Sequence, residues 1–326
     1  MAASYSTGTA SGPTDLLQKL VTWLVAQGWT QDASASDGTG WRAHLHKSGL
    51  YVNLRSAVNE GIWNYNNFNG YGIGLYLGDG YSGASNWRSQ SGGPLFTGTS
   101  NTVGAGMLLN SGAVTAYHFF DNGSDHIVVV VEKSPGIFCH MGWGPSLVRT
   151  GYATDFPYFW GSASSYYTTS QYVSQPGDLV TSHVPTSPLY VSPNMHSTCY
   201  FKVDATTFSG RWVSMTNTTS PSTTQSGYTG KQGRCSADMS GQFPRGEYPG
   251  WWNAIGRSWQ SAYAGALLLP LHLFVNTASG RWAPVGYPPT VFYTVAVGHG
   301  YSAGQVQAIG GVNYMLFPNF AVLKAA

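Results

Sequence analysis

Apolar positions recur with two different periods along this chain, and the periods predict its elements. From Thr14 to Gln27, the residues Leu16, Leu17, Leu20, Val21, Leu24 and Val25 return at helical spacing and form one apolar stripe. Pro13 suits the first helical position, Asp15 favours the first turn, and Gly28 stops the run before Trp29. The pattern predicts an amphipathic helix that packs on a sheet.

Beyond Trp29, most of the chain alternates with a period of two. Arg42 to His46 and Tyr51 to Ser56 flank Lys47-Ser48-Gly49, a hairpin signal. Ile73, Leu75 and Leu77 alternate with Gly72, Gly74, Tyr76 and Gly78, a strand with one apolar face and one thin one. Val114 to Phe120 and His126 to Glu132 flank Asp121-Asn122-Gly123-Ser124, and Asn-Gly between such runs predicts a tight hairpin. Further strands are predicted over Ile137–Trp143, Leu267–Val275, Thr290–Val297 and Asn313–Phe317. The tetrapeptide Ser209-Gly210-Arg211-Trp212 returns as Ser279-Gly280-Arg281-Trp282; each reads as a turn from which a Trp re-enters a sheet. Four residues are too few to mark a duplication.

Three stretches have no such period. Gly161 to Gln175 is rich in Ser, Thr and Tyr; Thr181 to Ser197 carries Pro185, Pro188 and Pro193; Ser214 to Gly241 is almost wholly small and polar. They read as loops or extended arms. The expected organisation is an N-terminal helix plus β domain over residues 1–165 and a loop-rich β region over 166–326 with a polar arm at 214–241, across a soft boundary that also fits one domain. The expected fold class is α+β, mainly β: antiparallel sheets with the N-terminal helix packed on them and long Gly/Ser/Thr-rich loops.

Composition sharpens this picture. Only 9% of the 326 residues are charged, where an average domain has roughly 25%. The net charge is +2, which argues against nucleic-acid binding through a basic face. The 42 Gly, 12 Trp and 21 Tyr exclude a disordered solvating chain and a coiled coil. A surface this poor in charge must be built from neutral polar and aromatic groups, and interfaces between subunits have that character. Met1 to Ser11 lacks a basic segment, so no signal peptide is expected. The longest apolar run, Ala264 to Val275, is short and holds Pro270 and His272, so no membrane insertion is expected. Cys139, Cys199 and Cys235 are odd in number and far apart, which fits buried free thiols.

Candidate chemistry is sparse. Walker A, HExxH, GxSxG and EF-hand patterns are absent; Gly144-Pro145-Ser146 comes nearest to a nucleophile elbow, but Val148 stands where the closing Gly belongs. His44 and His46 share a strand face, without a third ligand at informative spacing, so an exposed strand face is expected. A two-residue Asn-Gly turn would pair Phe119 with His126 and His118 with Ile127, sending His118 and His126 to opposite faces. Glu60, Asp79, Asp121, Asp125, Glu132 and Asp155 lie among aromatic residues, as glycosidase carboxylates often do, and a hydrolase would draw its pair from them. Trp63, Tyr65, Phe68 and Tyr71, and separately Tyr248, Trp251 and Trp252, would stack on sugar rings if exposed and pack if buried. Asn217 and Asn122 match the glycosylation pattern by chance. No catalytic, cofactor-binding or metal residue is assigned, and the chain is not expected to be an enzyme.

Several stretches taken together carry a resemblance: Tyr5-Ser6-Thr7-Gly8-Thr9-Ala10-Ser11; Asp15-Leu16-Leu17-Gln18-Lys19-Leu20 with Gly28-Trp29; Gly49-Leu50-Tyr51-Val52-Asn53-Leu54-Arg55-Ser56; Gly70-Tyr71-Gly72-Ile73-Gly74-Leu75-Tyr76-Leu77. Glu132-Lys133-Ser134-Pro135-Gly136-Ile137-Phe138, His140-Met141-Gly142-Trp143-Gly144 and Tyr314-Met315-Leu316-Phe317-Pro318 complete it. The set resembles virion structural proteins encoded with the head–tail and tail genes of tailed bacteriophages, best over residues 1 to about 165. These motifs are backbone and packing features, so none transfers as a functional residue. The resemblance implies a particle component of the neck, collar, tail or baseplate, made in the bacterial host cytoplasm. Its partners would be further copies of itself and other virion proteins. Alternatives are a tail-tip protein that binds host-surface glycan, a capsid decoration protein and, more remotely, a glycan hydrolase.

Overall fold

The computed structural model describes residues 2–61, 70–83, 86–87, 90–93, 105–144, 157–164, 289–294, 301–317 and 320–325, together with short strands between 199 and 286. In chain order the elements are β1 (Ser4–Ala10), α1 (Pro13–Ala26), β2 (Thr30–Asp37), β3 (Gly40–Lys47), β4 (Leu50–Glu60), β5 (Gly70–Gly78), β6 (Ala105–Leu109), β7 (Val114–Asp121), β8 (Ile127–Ser134) and β9 (Ile137–Gly144). After these come β10 (Tyr158–Gly161), β11 (Ala163–Ser164), β12 (Cys199–Lys202), β13 (Trp212–Ser214), β14 (Gly233–Cys235), β15 (Leu268–Pro270) and β16 (Leu273–Asn276). The last are β17 (Trp282–Gly286), β18 (Val291–Thr294), β19 (Val306–Ile309), β20 (Val312–Phe317) and β21 (Phe320–Leu323). Among the described residues the protein is mainly β, with antiparallel strands and one short helix.

Two large sheets enclose the core. One runs β1-β7-β8-β9-β10-β12-β13 and the other β11-β6-β5-β4-β3-β2. Their facing side chains form a single apolar cluster with the buried stripe Leu16, Leu17, Leu20, Val21 and Leu24 of α1. The sheets touch directly where β5 and β6 meet β9 and β10; α1 fills the space between β3, β4 and β5 on one side and β1 and β7 on the other. The chain crosses from one sheet to the other at Gly161 to Ala163. A side chain on Gly161 would strike the Gly106 backbone, so two glycines permit this crossing.

Strand β8, inside the seven-stranded sheet, is buried on both faces from Ile127 to Val131, which explains that unbroken apolar run. Ile127, Val129 and Val131 face the core with Cys139, Met141, Trp143 and Phe159. The opposite face carries Tyr5, His118, Phe120, Phe138, His140, Tyr158 and Trp160 as a layer of rings. Phe317 and Phe320, which flank the β20–β21 turn, cover it: Phe317 meets Phe138 at 5.1 Å and Phe120 at 6.5 Å, and Phe320 meets His140 at 4.8 Å. These two strands belong to a five-stranded sheet, β15-β18-β21-β20-β19.

Two features of the later strands differ from the sequence reading. The apolar run predicted as one strand over Leu267–Val275 is two: β15 pairs with β18, while β16 pairs with β14 and β17 in a three-stranded sheet. The break follows Pro270, which has no N–H to continue a ladder. Within the predicted arm, Gly233–Cys235 forms strand β14. The rest of that arm, from 215 to 232 and 236 to 241, and the loops at 165–198 lie outside the described residues. Trp212 and Trp282 each begin a strand that pairs antiparallel with the one before it, as the repeated tetrapeptide suggested.

Candidate functional site

The outer face of the six-stranded sheet gathers the polar side chains of β3 and β4. Cross-strand register places Asn53 opposite His44 and Tyr51 opposite His46. His44 Nδ1 and Asn53 Oδ1 are 2.6 Å apart, and Asn53 Nδ2 donates to the Tyr76 carbonyl at 3.3 Å. The Tyr81 ring lies 4.8 Å from that of His44. His44 is therefore buried, not part of an exposed face as expected, because the segment after β5 folds back over it. Burial lowers its pKa, partly offset by the Asn53 hydrogen bond. His46 instead meets Asp32, with Nδ1 to Oδ1 at 2.8 Å, and stacks on Tyr51 at 5.1 Å. Each histidine thus has its own partner. Among the described residues no group of three or more His, Cys, Asp or Glu side chains is placed to hold a metal ion.

Arg55 is the buried cation of this face, 3% exposed. Its Nε lies 3.3 Å from Asp37 Oδ2 and its Nη2 lies 2.7 Å from Glu60 Oε1. Nη1 donates to the Gly61 carbonyl at 3.1 Å. Glu60 Oε1 also accepts the Thr39 N–H at 3.1 Å, so it anchors the β2–β3 turn. A bulge between Val58 and Glu60, with Asn59 at φ 56°, turns Glu60 toward these donors.

The β7–β8 connection departs from the predicted tight turn. Asp121 pairs with Ile127 and His118 with Val130, leaving five residues in the loop. Asp121 Oδ1 accepts the Gly123 N–H at 2.7 Å, Asn122 Oδ1 accepts the Ser124 and His126 N–H groups, and Asp125 adopts φ 63°. In this register His118 and His126 lie on the same side of the sheet, away from the core, rather than on opposite sides. They have separate partners: His118 Nδ1 shares a hydrogen bond with the Tyr5 hydroxyl at 2.8 Å, and His126 Nδ1 shares one with the Tyr158 hydroxyl at 3.0 Å. Desolvation lowers both pKa values, that of His126 to about 4.

Of the described candidate carboxylates, Asp121 and Asp125 share the β7–β8 connection, where burial and, less strongly, the nearby Asp125 charge raise the Asp121 pKa, while Glu60 and Glu132 are held by separate partners. Asp121, whose pKa burial raises, and Glu132, whose Oε1 accepts the Gly136 N–H at 2.8 Å, stand at opposite ends of β8. Asp125 pairs with Lys47 at 2.5 Å and accepts from Ser48 Oγ at 2.9 Å, joining two turns. Asp79 sits where its segment closes, its N–H bonded to the Ser91 carbonyl at 2.7 Å. Asp155 lies outside the described residues, as do Trp63, Tyr65, Phe68, Tyr248, Trp251, Trp252 and Asn217. Tyr71 packs against the main core, so there it is a packing group. Cys139 is a buried free thiol whose pKa desolvation raises to about 12. The side chains of Cys199 and Cys235 lie outside the described residues.

Sequence reasoning missed the ladder of rings beside β9. Trp160 pairs with Gly142 and Tyr158 with Gly144, and their rings stack 5.6 Å apart over the two glycines. A side chain on Gly142 would strike the Trp160 ring, and one on Gly144 would strike His126. The signal was Gly-Trp-Gly ahead of Tyr-Phe-Trp: two glycines and two rings, each pair at period two.

Sheet edges complete the geometry. β1 ends the seven-stranded sheet and β2 the six-stranded one. Lys19 Nζ bonds the Thr9 carbonyl at 2.9 Å, and Lys324 Nζ lies 4.5 Å from the centre of the Tyr5 ring, so two cations guard β1. β2 has no Lys, Arg or Pro, and both its aspartates are held within the fold, Asp32 by His46 and Asp37 by Arg55. Ser34, Ala35 and Ser36 are exposed and neutral. Neither the models of known protein families nor the curated proteins match this chain.

Proposed function

We propose that this chain is a structural subunit of a bacteriophage virion. It acts in the neck, collar, tail or baseplate region as a symmetric homo-oligomer bound to neighbouring virion proteins. The family resemblance of its strand and turn motifs supports that setting. One structural observation carries the subunit role: among the described residues, its scarce charges are largely paired with one another or bonded to their own turns. Lys19 pairs with Asp15, Lys47 with Asp125, Arg55 with Asp37 and Glu60, and His46 with Asp32. Glu132 and Asp121 accept hydrogen bonds from their own hairpin turns. Among the described residues, what remains outside is mostly neutral, the surface character of a subunit that meets other protein. The mechanism is geometric: sheet edges and neutral faces bury area against neighbours, with no bond made or broken.

Light scattering coupled to size exclusion tests this reading. A discrete multiple of 34.9 kDa that is stable to dilution is expected. A 34.9 kDa species at every concentration, with no incorporation into particles, overturns it.

A second reading rests on the rings of the six-stranded sheet. Tyr81 is 37% exposed beside His44, and the His46–Tyr51 stack lies on the same face with Asp32. Aromatic planes beside hydrogen-bonding groups suit sugar rings, which supports the tail-tip glycan binder. A glycan array probed with the assembled protein tests it. Signal lost in Tyr81→Ala supports the reading, and a blank array removes it.

A further inference from the structure

The neutral edge of β2 has a more specific meaning, which rests on the self-assembly reading above. We infer that β2 pairs antiparallel with β2 of a second copy, about a two-fold axis at Ala35, joining the two six-stranded sheets into one. The β2–β3 turn sets the bonding pattern of this edge. Gly38-Thr39 is a two-residue connection, with Gly38 at φ 61°, and it closes on the Asp37–Gly40 pair. Residues of an antiparallel pair alternate between bonding their neighbour and facing away from it. Counting back from the closing pair, Asp37 and Ala35 bond β3, while Ser36 and Ser34 turn their N–H and C=O outward.

Regular pairing of β2 runs from Ala33 to Asp37, because a bulge interrupts it between Gln31 and Ala33. The centre of that stretch is Ala35. A two-fold axis there sets Ser34 opposite Ser36 of the second copy, so the outward donors and acceptors meet in hydrogen-bonded pairs. Ala35 faces its own counterpart in a non-bonded pair, the closer kind at about 4.5 Å between Cα atoms. Methyl side chains fit that spacing. Asp37 falls opposite Ala33, so no aspartate meets an aspartate. The sequence Ala-Ser-Ala-Ser is thus self-complementary in this register, which favours a second copy over an unrelated strand.

Among the described residues, the edge also lacks the usual protection. Natural edges carry lysine, proline or inward charges that deter pairing. β1 is guarded by Lys19 and Lys324, whereas the charges on β2 have been drawn away to His46 and Arg55. The rim is apolar as well: α1 ends beside β2 and leaves Val25 45% exposed. A contact of this kind is isologous and closes on itself, so it makes dimers, and a larger symmetric particle part would be built from those dimers.

Three variants of the full chain test this. Ser34→Pro removes an outward donor and leaves the β3 ladder intact; its solution mass is expected to fall at least two-fold from the wild type, with an unchanged circular dichroism spectrum. Ala35→Cys is expected to form a reductant-sensitive dimer under mild oxidation, since paired Cα atoms at that spacing suit a disulfide. Ser36→Cys, which faces Ser34 instead of itself, is expected to stay uncrosslinked, as is the wild type. Should Ser34→Pro fail to fold, Ser34→Lys reads the same edge through its side chain. A wild-type oligomer that survives both Ser34 substitutions, or equal cross-linking of Ala35→Cys and Ser36→Cys, overturns the β2 interface and leaves self-assembly standing. A wild type that is monomeric at every concentration and is not incorporated into particles overturns both.

Discussion

The hydroxyl of Tyr158 and Nδ1 of His126 share a hydrogen bond of 3.0 Å in a site closed to water. Tyr158 comes from β10, and His126 from the loop that joins β7 to β8. The contact fixes that loop against a strand of the same sheet, and the burial around it makes the imidazole expensive to charge.

Acid sensitivity is the consequence of burying His126. The His126 pKa is lowered to about 4, below its ordinary 6.5, so the folded protein binds fewer protons here than the unfolded chain. The native state is unpenalised above about pH 6.5, loses stability as pH falls toward 4, and levels off below that, at a total cost on the order of 3 kcal/mol. Burial lowers His44 and His118 too, which adds to the slope. Asp121 opposes it: its raised carboxyl pKa means that acid relieves the cost of holding it charged. Urea midpoints at pH 7 and pH 4.5 should differ, and His126→Gln should flatten the difference. A full slope in that variant contradicts the assignment.

Arg55 is held between Asp37 and Glu60. Removing one member of a buried ion group leaves the others uncompensated, a loss of roughly 3–5 kcal/mol. Arg55→Ala should therefore lower the urea midpoint sharply and loosen the β2–β3 turn that Glu60 anchors, read as faster amide exchange at Thr39. A change no larger than that of an exposed substitution would show that the cluster contributes nothing.

Gly142 lies beneath the Trp160 ring. Gly142→Ala sets a methyl group against that ring and against the Ile127 carbonyl, an overpacking cost of roughly 1–3 kcal/mol. The double variant Gly142→Ala, Trp160→Leu should recover part of the loss, because the smaller side chain makes room. Thermal melts of the four species decide it, and strict additivity would mean that ring and glycine act independently.

Cys139 faces the core from β9, and desolvation raises its pKa to about 12. Thiolate is the reactive form, so iodoacetamide at pH 8 should leave this residue unmodified in the native protein and label it fully in urea. Peptide mapping of the segment around Cys139 gives the answer, and native labelling at the unfolded rate would contradict its burial.

How much the sequence disclosed depended on whether an element had an apolar side to display. The α1 stripe was plain, and so was the β3–β4 hairpin, whose Ser48 and Gly49 both take positive φ between Lys47 and Leu50. β2 left no trace, because Thr-Gln-Asp-Ala-Ser-Ala-Ser-Asp has no hydrophobic alternation: an edge strand has little to bury. β1 escaped notice for a similar reason. The β7–β8 turn was placed too tightly since Asn-Gly is a strong local signal, while the side-chain bonds of Asp121 and Asn122 and the left-handed Asp125 stabilise a longer loop. The partners of Arg55 and His44 were illegible because they depend on register and on a segment folding back from beyond β5.

The ring layer on the seven-stranded sheet also bears on how the chain is made. Phe120 leaves the ribosome roughly two hundred residues before Phe317, the side chain that covers it. Until then the growing chain presents an uncovered aromatic sheet face and a strand order that awaits distant segments, a combination that folds slowly and sticks to its neighbours. Synthesis of this protein should therefore draw on chaperones that shield hydrophobic surface, and its yield should rise when translation is slowed by cooler growth.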